Sequence, residues 1–146
     1  LRLAQSAIES VQGDAGTNQD LDLHEGKLTT EFSVRQAGTG YAELHLKLEK
    51  ALALYIHPLG DVNKRWISLA CLSSGASSAL TPIEMGTWNT VRIEKEAESA
   101  RLYLNEALIG SVSCPKPVRR GEIALQGLGD LALEIDYVEQ WGGGGF

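Results

Sequence analysis

Positive charge, aromatic residues, cysteine and long apolar runs are all scarce in this chain of 146 residues. Lys and Arg number 13 against 19 Asp and Glu, for a net charge of −6. A nucleic-acid backbone demands a basic footprint, so the balance excludes nucleic acid as a partner. No apolar run approaches the roughly 20 residues that a membrane-spanning helix needs. Only two cysteines are present, Cys71 and Cys114, and their spacing fits no zinc pattern. One disulfide, two buried thiols or a reactive thiol are the alternatives open to them. Aromatic residues make up 6% of the chain, with Trp66, Trp88 and Trp141 the only tryptophans, which is meagre for a sugar-hydrolysing cleft. No Ser/His/Asp arrangement, phosphate-cradling glycine loop or dinucleotide fingerprint occurs.

What remains is sufficient for one soluble globular domain. The hydrophobic share is 43%, which together with the modest charge excludes disorder. A chain of this length buries about two-thirds of its unfolded surface. It begins at Leu1 with no initiator Met, which reads as a mature or excised fragment. The domain is expected over residues 1–141, with residues 142–146 (four glycines and Phe146) as a glycine-rich tail.

Period-two alternation dominates the interior of the chain. Leu28, Thr30, Phe32 and Val34 share one face of a strand over residues 27–35, and Ala42, Leu44, Leu46 and Leu48 share one over 41–48. Leu52, Leu54 and Ile56 continue the pattern before Pro58-Leu59-Gly60-Asp61 breaks the chain. Further strands are expected over 65–72, 88–94, 101–104, 107–112, 121–125 and 131–138, with residues 73–78 a loop and Gly127-Leu128-Gly129-Asp130 a turn. Residues 1–11 alone admit a helical reading. About eight or nine short strands, with turns roughly every 8 to 12 residues, imply an all-β sandwich or barrel of antiparallel strands.

Two registers follow from the pattern. A three-residue loop at Glu49-Lys50-Ala51 sets Leu48 opposite Leu52, Leu46 opposite Leu54 and Leu44 opposite Ile56, keeping every apolar residue on one face. The other face then carries His45 opposite Tyr55 and Glu43 opposite His57. Pairing Ile93 with Leu102 and Val91 with Leu104 sets Glu94 opposite Arg101.

The stretch Gly86-Thr87-Trp88-Asn89-Thr90-Val91-Arg92-Ile93, followed by Leu102-Tyr103-Leu104-Asn105-Glu106 and Gly110, resembles the W-N-x-V-x-I … L-Y-x-N-G-x-x-x-G segment of concanavalin A-like (laminin G-like) jelly-roll domains. Gly121-Glu122-Ile123-Ala124-Leu125-Gln126-Gly127 and the last strand resemble the end of that superfamily's 3-keto-disaccharide hydrolase-like branch. The resemblance covers the chain from Gly86 onward; before it, only the strand rhythm matches. It implies a two-sheet jelly roll in which Trp88 covers the sandwich edge. Glu106 departs from the pattern, where the family's turn has Gly. A side chain at positive φ costs about 1 kcal/mol, so a longer turn or another type is expected there.

Several constellations could carry chemistry. Glu134, Asp136 and Glu139 fit E-x-D-x-x-E and resemble the catalytic motif of glycoside hydrolase family 16, which implies a nucleophile, a tuning carboxylate and an acid/base in that order. A β-bulge after the Asp would bring all three to one face, and retaining hydrolysis needs two carboxyls about 5 Å apart. The motif falls on the final strand, however, and a solvated acidic face explains it as well. Tyr41, Glu43, His45, Tyr55 and His57 form an outward patch suited to sugars, because rings stack on apolar sugar faces while His and Glu exchange hydrogen bonds with hydroxyls. The same residues suit cross-strand decoration of an exposed face, and a zinc site of His45, His57 and Glu43 has nothing to fix its distances. Asp14, Asn18, Asp20 and Asp22 make an oxygen-rich loop of the kind Ca²⁺ uses, though turn chemistry explains them equally.

The expectation is therefore a non-catalytic recognition module, for carbohydrate or a protein surface, in a secreted, periplasmic or surface protein. A glycoside hydrolase and an assembly module that oligomerises through sheet edges or the tail are the alternatives. No cofactor is expected beyond a possible role for Ca²⁺.

Overall fold

The computed structural model describes residues 2–5, 13–17, 28–36, 42–48, 51–59, 61–115, 123–129 and 133–142. Twelve strands occur among them: β1 (Arg2–Gln5), β2 (Gly13–Thr17), β3 (Leu28–Gln36), β4 (Ala42–Leu48), β5 (Leu52–Leu59) and β6 (Asp61–Cys71), then β7 (Thr81–Ile83), β8 (Asn89–Lys95), β9 (Ser99–Leu104), β10 (Ala107–Ser113), β11 (Ile123–Gly129) and β12 (Leu133–Gly142). They form two six-stranded sheets, ordered β1-β12-β3-β8-β9-β10 and β2-β11-β4-β5-β6-β7, in which every described pairing is antiparallel. We call them sheet A and sheet B.

Alternation builds the core. Phe32, Val34, Val91, Ile93, Leu102 and Ile135 point inward from sheet A, and Leu44, Leu46, Leu54, Ile56, Ile67 and Leu69 point inward from sheet B. Each fully buried side chain of this size contributes about 1.5–3 kcal/mol, so a one-residue slip of any central strand would expose several at once. Both expected registers are present: Leu44↔Ile56 to Leu48↔Leu52 between β4 and β5, and Val91↔Leu104, Ile93↔Leu102 and Glu94↔Arg101 between β8 and β9.

The two sheets are also joined covalently. Cys71, the last residue of β6, forms a disulfide with Cys114, just past β10, with Cα atoms 5.5 Å apart. Beside it, Ser74 Oγ donates to Ser113 O at 3.4 Å, and Ser77 bridges to Ala70. Gly110 lets β10 approach this segment closely: a Cβ there would lie 2.8 Å from Ser78 Cβ.

Several expectations are corrected. Residues 2–5 form a strand paired with β12 rather than part of a helix. β2 and β7 arise where no alternation marked a strand. Pro58 and Leu59 belong to β5, and β6 starts at Asp61 instead of after a break, because a register shift between His57 and Leu59 absorbs the irregularity. Gly127, Leu128 and Gly129 are strand rather than turn, since β2 and β4 pair with β11 on its two sides. Gly142 closes β12 opposite Leu28, so the glycine run starts inside the sheet.

The β9–β10 turn is neither longer nor of another type. Asn105 (φ 50°) and Glu106 (φ 72°) both adopt the left-handed conformation of a two-residue hairpin turn. Asn105 anchors it: its Oδ1 accepts from Thr90 N at 2.9 Å, and its N–H donates to Thr90 O at 2.8 Å. Asn89 is buried and ties down the preceding loop, donating from Nδ2 to Glu84 O at 2.7 Å and Thr87 O at 3.1 Å. The two asparagines of the motif are thus backbone fasteners. Trp88 does not cover the edge so much as project from it, 42% exposed, with the Arg35 guanidinium 4.6 Å above its ring.

Candidate functional site

The outward face of sheet B is read off the inward one. Leu44, Leu46, Leu48, Leu52, Leu54, Ile56, Ile67, Leu69 and Ile83 are buried, so alternation puts His45 and Lys47 of β4, Ala53, Tyr55 and His57 of β5, Trp66, Ser68 and Ala70 of β6 and Pro82 of β7 on the opposite side. Strand pairing arranges these in rows. His45, Tyr55 and Ser68 lie side by side across β4, β5 and β6, and His57, Trp66 and Pro82 across β5, β6 and β7. Directly opposed residues hold their Cβ atoms about 4.5–5.5 Å apart, so each row is one contiguous surface.

The rings touch edge to face. His45 and Tyr55 have centroids 5.0 Å apart at 87°, and Tyr55 and His57 are 6.4 Å apart at 84°. Tyr55 thus separates the two imidazoles. Among the described residues, no group of three or more His, Cys, Asp or Glu is placed to hold a metal ion. His57 Nδ1 lies 3.0 Å from Pro58 O; since a carbonyl only accepts, Nδ1 carries the proton, and in the neutral ring Nε2 is left as an acceptor.

Ala53 and Ser68 are small and buried, although alternation puts them on the outer side. Trp66 adds a second large ring, and its Nε1 is buried with no hydrogen-bond partner. Most buried polar groups are paired, so an indole N–H without an acceptor is a cost that calls for an explanation. Trp66 and Ser68 were absent from the patch expected from sequence. Their alternation with Ile67 and Leu69 was visible; which strand β6 would pair with was not.

The other candidates are dispersed. Tyr41 lies outside the described residues. Glu43 stands on β4 opposite Leu128, one residue beyond Leu44↔Ile56, where the pairing of β4 with β5 ends among the described residues. Asp14 is on strand β2 opposite Gln126, which removes it from any loop; Asn18, Asp20 and Asp22 lie outside the described residues. Positions 134, 136 and 139 of β12 stand opposite Arg35, Ser33 and Glu31 on β3, with a register shift between Asp136 and Val138. β12 belongs to sheet A, so this segment and the His45–Tyr55–His57 patch lie on different sheets.

The outer face of sheet A is built differently. Arg92 is stacked 4.3 Å from the Tyr103 ring and reaches Glu106 at 2.9 Å, Glu94 at 3.2 Å and Glu31 at 3.7 Å. The hydrogen bond to Glu106 raises the Arg92 pKa above its ordinary value against the opposing cost of burial. Arg101 meets Glu96 at 2.7 Å and Glu94 at 3.1 Å. At the end of β8, Lys95 is buried, donating to the carbonyls of Glu96 and Ala97, and burial lowers its pKa.

No family model matches the sequence, and no curated protein matches it either. Solved structures do match in fold. Sheep galectin-11 aligns with a TM-score of 0.54 at 10% identity, covering 88% of this chain and 99% of the galectin. The Bacillus licheniformis β-glucanase aligns at 0.53 and 13% identity, covering 96% and 77%. The carbohydrate-binding module (CBM40) of the Ruminococcus gnavus IT-sialidase, solved with α2,3-sialyllactose, aligns at 0.56 and 13% identity, covering 95% and 90%. The fold is the concanavalin A-like jelly roll, shared by lectins, glucanases and carbohydrate-binding modules.

Proposed function

We propose that this domain is a non-catalytic carbohydrate-recognition module whose binding surface is the outer face of sheet B. The observation that carries the reading is the cluster of Tyr55, His45, His57 and Trp66 around the small residues Ala53 and Ser68. Aromatic faces match the C–H surface of a sugar ring, and imidazole, phenol and indole groups supply the few directional hydrogen bonds that orient it. The buried Cys71–Cys114 disulfide suits an oxidising compartment, which supports a secreted or surface location. The test is binding to a panel of soluble oligosaccharides, with Tyr55→Ala expected to lose at least tenfold in affinity. Unchanged binding by that variant would remove this face from the reading.

One observation favours a glycoside hydrolase: β12 carries its register shift just after Asp136, as the E-x-D-x-x-E reading requires. Against it stands the placement of β12 in sheet A, away from the ring-lined face. Release of reducing ends from β-glucan that disappears in Glu134→Gln would establish the enzyme; no release at enzyme excess would dismiss it.

A further inference from the structure

We propose that Trp66 and His57 together read a pair of adjacent hydroxyls on the bound sugar, one accepting from Trp66 Nε1–H and its neighbour donating to His57 Nε2. This rests on the carbohydrate-recognition reading and names the chemistry that its ligand must present.

Three observations converge. Trp66 and His57 are direct cross-strand partners on the outer side of sheet B. The Trp66 indole N–H is buried and unpartnered, and indole nitrogen only donates, so an acceptor must come from elsewhere. His57 Nδ1 is committed to Pro58 O, so its other nitrogen offers the opposite role. The residues that carry this donor and this acceptor are therefore direct cross-strand neighbours, with the Tyr55 ring beside His57. A hydroxyl both donates and accepts, so two on neighbouring ring carbons satisfy the pair at once, one in each role. A deoxy position fills neither role, and a methyl ether can accept from Trp66 but cannot donate to His57. Because Nε1 is shielded in the free protein, its cover must shift as the ligand arrives, and the recovered hydrogen bond favours that shift.

The pairing makes selectivity steep. A site built to hydrogen-bond a hydroxyl rejects an analogue lacking it far more strongly than an apolar pocket rejects a change of size, because the site's own polar groups are left unpaired. Pro82 completes the row on β7.

The experiment uses the intact domain labelled with ¹⁵N. Lactose, cellotriose, laminaritriose, xylotriose and 3′-sialyllactose are titrated, and the side-chain indole signals of the three tryptophans are followed. The expected result is a downfield shift of the Trp66 indole proton, assigned by its loss in Trp66→Phe, with Trp88 unmoved. Trp66→Phe keeps a ring and removes the donor; it should bind about tenfold more weakly while its thermal midpoint stays near that of the parent. Monodeoxy forms of the binding sugar should include one that weakens the parent about tenfold and Trp66→Phe hardly at all, with a second, at the adjacent carbon, behaving likewise for His57→Phe. Binding that Trp66→Phe leaves unchanged overturns the inference while the recognition reading stands. Failure of all five sugars to bind overturns both.

Discussion

The two outer faces of the sandwich use their polar groups in opposite ways. On sheet A, Arg92 and Arg101 share Glu31, Glu94, Glu96 and Glu106 within 4 Å, and Tyr103 lies under the Arg92 guanidinium. On sheet B, rings meet edge to face around small residues, and the Trp66 N–H has no acceptor. Groups that satisfy one another rigidify a surface and leave it little to offer a ligand. A face with an unspent hydrogen-bond donor and half-buried rings gains by binding. Sheet A therefore has its polar groups spent on one another, and the outer face of sheet B is the one proposed above for recognition.

The largest effect expected tests the seam that joins the two sheets. Closing a loop of 43 residues stabilises by about 4 kcal/mol in the chain-entropy account. The double variant Cys71→Ala, Cys114→Ala should therefore lose about that much in urea unfolding, and a loss below about 1 kcal/mol would make the disulfide incidental.

Next comes the contrast itself. Arg92→Ala removes a partly buried guanidinium from three carboxylates and a ring, and should cost about 1–2 kcal/mol of stability with sugar affinity unchanged. Tyr55→Ala should do the reverse, weakening sugar binding at least tenfold while changing stability less. If Arg92→Ala impaired binding as strongly as Tyr55→Ala, the division between the faces would fail.

A smaller effect lies in the β9–β10 turn. Glu106→Gly relieves a left-handed residue worth about 1 kcal/mol and forfeits one exposed ion pair to Arg92, worth at most a similar amount and usually less. The expected net is a gain of about 0.5 kcal/mol by thermal unfolding, and a clear loss would show that the Arg92 network depends on this contact.

The smallest concerns Lys95. Burial lowers its pKa in the folded state, so the unfolded chain binds more protons as pH rises from neutrality towards the ordinary lysine value of about 10.4. Wild type should gain stability relative to Lys95→Met over that window, and lose it again as pH falls back through the lowered folded value. A difference independent of pH would mean the ammonium is not strained by burial.

Much of the architecture was legible because it is local. Leu44 to Leu48 against Leu52 to Ile56, and Val91 to Ile93 against Leu102 to Leu104, are hairpins whose alternation leaves one register that buries every apolar residue. The shift after Asp136 falls where the resemblance to E-x-D-x-x-E implied a bulge. β1, β2 and β7 were not legible: Gly13-Asp14-Ala15-Gly16-Thr17 has no amphipathic signature and is strand only because β11 pairs with it. The patch was half legible. His45, Tyr55 and His57 followed from one hairpin, whereas Trp66 entered through a β5–β6 pairing interrupted by a register shift. The turn at Glu106 was not legible, because Asn105's two bonds to Thr90 hold the left-handed pair against the strain at one residue.

The sequence alone determined an acidic all-β sandwich, its core residues and two of its hairpins, since side-chain period and short loops act over a few neighbours. Tertiary structure decided the rest: that Cys71 and Cys114 meet across the two sheets, that the three acids of β12 stand on the sheet opposite the rings, and that Trp66 joins His57. Each of these depends on which distant strands become neighbours. That choice is made by the collective burial of both sheets, which no single segment encodes.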